Sequence, residues 1–416
     1  MRRSPTGATS ASHSSSYASD LACLGALAAV TTSDPRRQFL LELFKAALAR
    51  VEGRHCTGAA LRAGAWHPQR VWTAAVGKAA SSMALGAYDV LGRAQERLLL
   101  ITKDDHVSPE ALKLPEVEIH ESAHPLPDAR SIAAGERLLR WTRELPQDVE
   151  PLFLISGGAS SLVEVLAPGV TLEELQRLHD AGIASGIAIA ELNANRTRLS
   201  VIKGGRLTAQ LAGRRARALF ISDVPGDDPA VIGSGLLGPA DGAADAVERS
   251  IVASIDHAVA AAGELATARG RTVRLAPERF DGEARRLAVR FTHELDLYPE
   301  GVHIWGGESV VRLPPHPGQG GRNQHLALAA ARNIAGRRDL LLLAAGTDGT
   351  DGATLDAGAL VDGESCARIT LAELDVEDCL NRADSGTALA RSGDLIHTGP
   401  TGTNVGDLVI GIKCGF

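Results

Sequence analysis

Leu152-Phe153-Leu154-Ile155-Ser156-Gly157-Gly158-Ala159-Ser160-Ser161 is the stretch from which the rest of the chain can be read. Four consecutive apolar residues form a strand with no polar alternation, as expected for a strand buried on both faces. Ser156-Gly157-Gly158 then ends it in a tight turn toward a short helix. Such a strand belongs inside a parallel sheet covered by helices. Moving outward, strand-like and helix-like runs alternate. Residues 71–76 read as a strand, 79–91 as a helix, 97–101 as a strand and 129–141 as a helix; 218–221 read as another buried strand. Upstream, 34–49 form an amphipathic helix with Phe39, Leu40, Leu43, Phe44 and Leu48 on its apolar side.

A stretch rich in Gly, Pro and Asp at 225–242 is the expected domain boundary. It divides an N-terminal Rossmann-like parallel-sheet domain, 34–240, from a C-terminal α/β domain, 241–416. The second half opens with an Ala-rich helix over 244–268, and strands follow at 302–305, 309–313, 339–344 and 408–412. The fold class is therefore α/β with two domains, and the cleft between them is the default site. The length, 416 residues, suits two cores of ordinary size.

Composition narrows the function. A net charge of -7 and only 3% aromatic residues argue against nucleic acid as partner, because neither a basic surface nor stacking platforms are available. The five cysteines are scattered without a CxxC pair, which suits thiols in a reducing cytoplasm. Residues 1–33 carry a Ser-rich run and ten apolar residues at 21–30, too few to cross a bilayer. A disordered N-terminal extension is expected there, with no membrane partner.

Several polar motifs sit just past the strands, where ligands gather in open α/β sheets. The Ser156–Ser160 loop can present backbone N–H groups to phosphate, and equally reads as an ordinary turn. It is not a Walker A loop, since no Lys-Ser/Thr pair follows the glycines. Lys78, in Val76-Gly77-Lys78-Ala79-Ala80, places a point charge where a helix begins. Asp223, Asp227 and Asp228 cluster after the strand at 218–221; they suit Mg²⁺ or proton transfer, as well as a turn. Arg322 opens a probable helix in Gly320-Gly321-Arg322-Asn323-Gln324 and suits a bidentate grip on carboxylate or phosphate. Asp348 and Asp351 lie three apart among glycines. Gly233-Ser234-Gly235-Leu236-Leu237-Gly238 fits GxGxxG, but no clean strand leads into it, so it carries little weight. A dehydrogenase would want a His–carboxylate pair, for which His124 near Asp128 is the visible candidate.

Together and in this order the motifs resemble the glycerate 2-kinase family, whose C-terminal part is called the MOFRL domain. The matching blocks are VGKAA (76–80), HPLPDARSIAAG (124–135), LISGGASSL (154–162), ELNANRTRLSVIKGGRL (191–207) and ISDVPGDDP (221–229). GGES (306–309), GQGGRNQ (318–324), AGTDGTDGATLDAGALVD (345–362) and TGPTGTNVGDL (398–408) complete them. The chain departs from the family's usual residues at Ala159, Arg198 and His325. The resemblance implies ATP-dependent phosphorylation of the 2-hydroxyl of D-glycerate with Mg²⁺ or another divalent cation. The alternatives are a kinase of another small sugar acid, or a hydroxypyruvate reductase-type oxidoreductase. It implies Lys78, Arg322 and Asp223 as catalytic residues, and Ser156, Gly157, Gly158, Ser160 and Lys203 around the nucleotide. Asn193, Asp227, Asp348 and Asp351 are expected near substrate or metal, with Asp223 and Asp348 as the metal ligands. A homodimer is the expected assembly.

Overall fold

The computed structural model describes residues 34–415, except 65, 186–194 and 241–244. The expected N-terminal extension lies outside the described residues. The first sheet contains β1 (Val71–Val76), β2 (Gln95–Lys103), β3 (Val117–Ser122), β4 (Glu150–Ile155), β5 (Ala216–Ile221) and β6 (Val247–Ala253). Their spatial order is β3-β2-β1-β4-β5-β6, and every pairing is parallel. This is the doubly wound arrangement, and strand order reverses between β1 and β4. Helices cover both faces. On one, Trp141 packs edge-on against Phe153 of β4, with ring centroids 5.7 Å apart.

The second sheet is mixed. It contains β7 (Val273–Leu275), β8 (Phe280–Glu283), β9 (Gly301–Val310), β10 (Leu340–Gly346), β11 (Gly358–Asp362), β12 (Leu395–Ile396) and β13 (Asp407–Lys413). Antiparallel pairing links β11, β10, β13 and β9 in that order. The strand expected at 302–305 and the start of the one expected at 309–313 are one strand, β9, which ends at Val310. Gly306 and Gly307 keep it continuous because neighbouring groups press against them: a Cβ at 307 would stand 2.1 Å from the Phe280 carbonyl oxygen.

Two expectations about the middle of the chain are corrected. The helix expected over 244–268 starts only at Ile255, and the residues before it form β6. Val247, Ile251 and Val252 favour extended backbone, while Ser254 caps the helix Ile255–Ala268 in a capping box with His257. Since β6 pairs with β5, the first sheet continues past the expected boundary at 240. The helix Pro35–Val51 crosses the other way. One core joins its Leu40 and Phe44 to Val71 and Leu98 of the first sheet and to Ile304, Leu341 and Ile410 of the second. Buried Arg37 on this helix donates to Asp394 Oδ1 at 2.8 Å and pairs with Asp362. The first helix thus binds the two sheets together, against a simple split of the chain into consecutive halves.

Candidate functional site

The loops after β1 and β4 meet where strand order reverses, and they are knitted through the backbone. The Lys78 N–H donates to the Gly157 carbonyl at 2.9 Å, and the Ala79 N–H donates to Ser156 Oγ at 3.0 Å. Gly77 has φ +129°, and a Cβ there would stand 2.1 Å from Ser156 Oγ. Only glycine accommodates both the conformation and the approach. Ser156 itself is fully buried and props the Lys78 loop from behind.

Gly157 forms the seat for the next pair. Asn404, from the segment before β13, donates through Nδ2 to Asp223 Oδ2 at 2.8 Å. A Cβ at 157 would stand 2.1 Å from Asp223 Oδ2 and 2.2 Å from Asn404 Nδ2. Gly157→Ala is therefore expected to displace Asp223 and to lower kcat/KM by about 10²-fold. Steady-state kinetics check this; unchanged kcat/KM would show that Asp223 needs no such seat.

These groups open into a cleft of about 750 Å³ between the two sheets. The first domain lines it with Lys78, Lys103, His124 and Asp223, and the second with Glu308, Arg322, Asp348, Thr350 and Asp407. Lys78 Nζ lies 2.8 Å from Asp348 Oδ2 across the cleft. Arg322 grips Asp407, with Nε 2.8 Å from Oδ2, and its Nη1 donates to Glu308. Burial pushes Asp223 up to about 6, against the pull of Lys78. For Asp348 burial acts upward too, but Lys78 and the Thr350 hydrogen bonds outweigh it and hold the carboxyl below its usual range. Burial, helped by Lys78 and Lys103, lowers His124 to about 3, so its imidazole is neutral. Burial and the nearby Lys78 also lower Lys103.

The expected site residues divide sharply. Lys78, Asp223, Asp348 and Arg322 come together, although 270 positions separate Lys78 from Asp348. Asp351 also borders the cleft, but it caps a helix with its carboxylate. It accepts from the backbone N–H groups of Asn323 (3.1 Å) and Gln324 (2.7 Å) at the start of the helix Arg322–Asn333. Burial pushes Asp351 up to about 7. Its geometry is that of a residue positioning Arg322.

Two other expected residues, Lys203 and Asp227, point away from the cleft. Lys203 does not reach the cleft; its ammonium is fully buried, paired with fully buried Glu164 and donating to the Ser160 carbonyl at 2.7 Å. The pair fastens the far end of the Ser156–Ser160 loop. Asp227 turns away to Arg279, with Oδ2 2.6 Å from Nη2. Ser160 Oγ accepts from Ser234 Oγ at 3.0 Å, behind the same loop. Gly158, with φ +90°, backs Lys78 and His124. Asn193 lies outside the described residues.

Lys203→Met leaves Glu164 buried without its cation, and a loss of about 3–5 kcal/mol of stability is expected. Adding Glu164→Leu should recover most of it. Urea denaturation reads both; a single variant as stable as the parent would contradict the buried-pair account.

Lys103, Glu308 and Asp407 were not singled out from the sequence. Lys103 ends β2 and Glu308 lies near the end of β9, so the strand-end rule reaches them. Asp407 starts β13, and nothing local marks it. Asp128 accepts from the N–H groups of Arg130 and Ser131 as a helix cap, so it does not partner His124. The GxGxxG stretch begins on the turn Ile232–Ser234, eleven positions past the end of β5 at Ile221, so no strand leads directly into it.

Residues 39–262 match a domain of unknown function (DUF4147), and residues 301–407 match the MOFRL family. A D-glycerate 2-kinase of Thermotoga maritima is 37% identical over 382 residues, covering 82% of this chain and 90% of its own. The chain belongs to the glycerate 2-kinase family. A second glycerate 2-kinase, from Pyrococcus horikoshii, is 31% identical over 82% of this chain and 87% of its own. A crystal structure of glycerate kinase from Thermotoga maritima matches with a TM-score of 0.82 at 34% identity, covering 91% of this chain and 99% of that one. A relative from Agrobacterium vitis, named a putative hydroxypyruvate reductase, is 35% identical over 80% of this chain and 96% of its own. In this member of the glycerate 2-kinase family, the cleft holds the charged groups that phosphoryl transfer uses. His124 and Asp128, the pair considered for a dehydrogenase, are not joined, since Asp128 is taken up as a helix cap.

Proposed function

We propose that the chain transfers the γ-phosphoryl group of ATP to the 2-hydroxyl of D-glycerate, giving 2-phosphoglycerate. The observation that carries this reading is the convergence of Lys78, Asp223 and Arg322 on one cleft from three separate parts of the chain. Phosphoryl transfer needs positioning and charge neutralisation more than covalent help. Arg322 holds the glycerate carboxylate. Of its five N–H donors, three engage Asp407 and Glu308, which leaves two for a ligand at a fixed angle. Asp223, kept in place by Asn404 and Gly157, accepts the proton of the 2-hydroxyl. Lys78 offsets charge on the transferring group, released from Asp348 as the phosphates arrive. Ser156–Ser160 supports these groups from behind, so the phosphates are placed beside Lys78, Lys103 and His124.

A divalent cation fits this donor set. Mg²⁺ takes one or two carboxylates together with substrate phosphates, without a dedicated protein cage. Among the described residues no cluster of three or more ligands is preformed, while Asp348 and Asp223 both border the cleft. Asp348 would hold the ion, which when bound would supply charge neutralisation across the phosphates, and Asp223 is left to take the hydroxyl proton. The four described cysteines are free, which suits a reducing cytoplasm. No helix among the described residues is long and apolar enough to cross a membrane.

Coupled ADP release by the purified chain tests the reading, with and without D-glycerate, followed by NMR of the product. Glycerate-dependent ADP release yielding 2-phosphoglycerate is expected. ATP binding without that turnover would point to another sugar acid. NADH oxidation with hydroxypyruvate, and no ADP, would overturn the kinase reading.

A further inference from the structure

The two largest aliphatic side chains lining the cleft, Val311 and Leu313, come from one segment, while Pro125, Ala353 and Ala383 add smaller apolar surface elsewhere. Lys78, Lys103, His124 and Asp223 supply the side chains of the inner end. Val311, Leu313 and Pro317, all between β9 and the helix Arg322–Asn333, line the outer part. Leu313 is 67% exposed, a large aliphatic side chain facing water at the mouth of the cavity. The segment is stiff and anchored. Pro314, Pro315 and Pro317 restrict its backbone. Beyond them, the Gly318 N–H donates to the Arg382 carbonyl at 2.8 Å, and the Gln319 N–H to Asp384 Oδ1 at 2.9 Å. A wall already held in place costs little ordering when a flat ligand binds.

We propose that this wall takes the purine base of the nucleoside triphosphate, with the phosphates running inward to Lys78 and Lys103. The inference rests on the kinase reading and adds to it where the base lies. Glycerate has a carboxylate or hydroxyl on every carbon, so it gains nothing from an apolar wall and belongs with the charged groups. The base is the one large flat group that either substrate brings, and burying its faces against aliphatic carbon is favourable. A cleft of about 750 Å³ accommodates a nucleotide with a three-carbon acid. His325 lines the same cavity. Its Nδ1 lies 3.0 Å from Ser385 Oγ, and burial lowers it to about 4, so a neutral imidazole is available to the polar edge of the base.

The test uses Leu313→Ser and Val311→Ser in the full chain, with KM measured separately for ATP and D-glycerate. Leu313 is exposed, so its loss leaves folding intact. Leu313→Ser is expected to raise KM for ATP about tenfold, with kcat and KM for glycerate unchanged. Inhibition by inorganic tripolyphosphate, which has no base, should be the same in parent and variant. Unchanged KM for ATP in both variants would overturn the assignment. So would a rise in KM for glycerate alone, which would place the acid on this wall. If the parent does not turn over, calorimetric ATP binding by parent and variant gives the same decision. A parent that binds no ATP fails at the kinase reading, a result distinct from any difference between variant and parent.

Discussion

Lys78→Ala is expected to lower kcat/KM about 10³-fold while the protein stays folded. The lysine stands at the carboxyl end of β1, where strand order reverses, with its backbone fixed by Gly157 and its ammonium 2.8 Å from Asp348. Its side chain is largely enclosed, so water would not replace the lost charge efficiently. Lys78→Arg is a sharper comparison, because it keeps the charge but offers a planar fork in place of a compact point. Coupled ADP release gives the rates, and circular dichroism with thermal melting gives the fold. Near-normal turnover by a folded Lys78→Ala would remove this residue from the mechanism.

Asp223→Asn is expected to cost about 10³-fold in kcat while altering KM for ATP little. Asparagine keeps the shape and a hydrogen-bonding oxygen for Asn404, but accepts no proton from the substrate. The same residue sets the pH dependence. Burial brings it to about 6, and a base works only when deprotonated, so kcat/KM of the parent should fall as pH drops through about 6. The acid limb should be missing from the residual activity of Asp223→Asn. A pH profile of the variant that keeps the limb would assign it to another group. Equal activity at neutral pH would leave Asp223 a purely structural residue.

Much of this arrangement was legible from the sequence, for a definite reason. Buried parallel strands read as unbroken apolar runs, so β1, β4 and β5 could be placed, and with them Lys78, the Ser156 loop and Asp223 at their ends. What could not be read is which polar residue faces the cleft and which faces the protein. Lys203 and Asp227 sit in motif blocks as well marked as that of Lys78. Only the packing reveals Glu164 and Arg279 as their partners. Asp351 and Asp348 have the same local chemistry, yet a helix start claims one and Lys78 the other. The Ala-rich texture after Gly242 hid β6, because strand pairing with β5 outweighed local helix preference there.

The tie made by the helix Pro35–Val51 has a bearing on how the chain is made. That helix leaves the ribosome long before its core neighbour Ile410 and the strand β13. The first sheet can close during synthesis, whereas Leu40, Phe44 and Arg37 wait for partners at 304–410. Nascent chains halted just after β6 should therefore be cut by protease within 35–51, while the first sheet resists. That vulnerability ends only once β13 has emerged and paired.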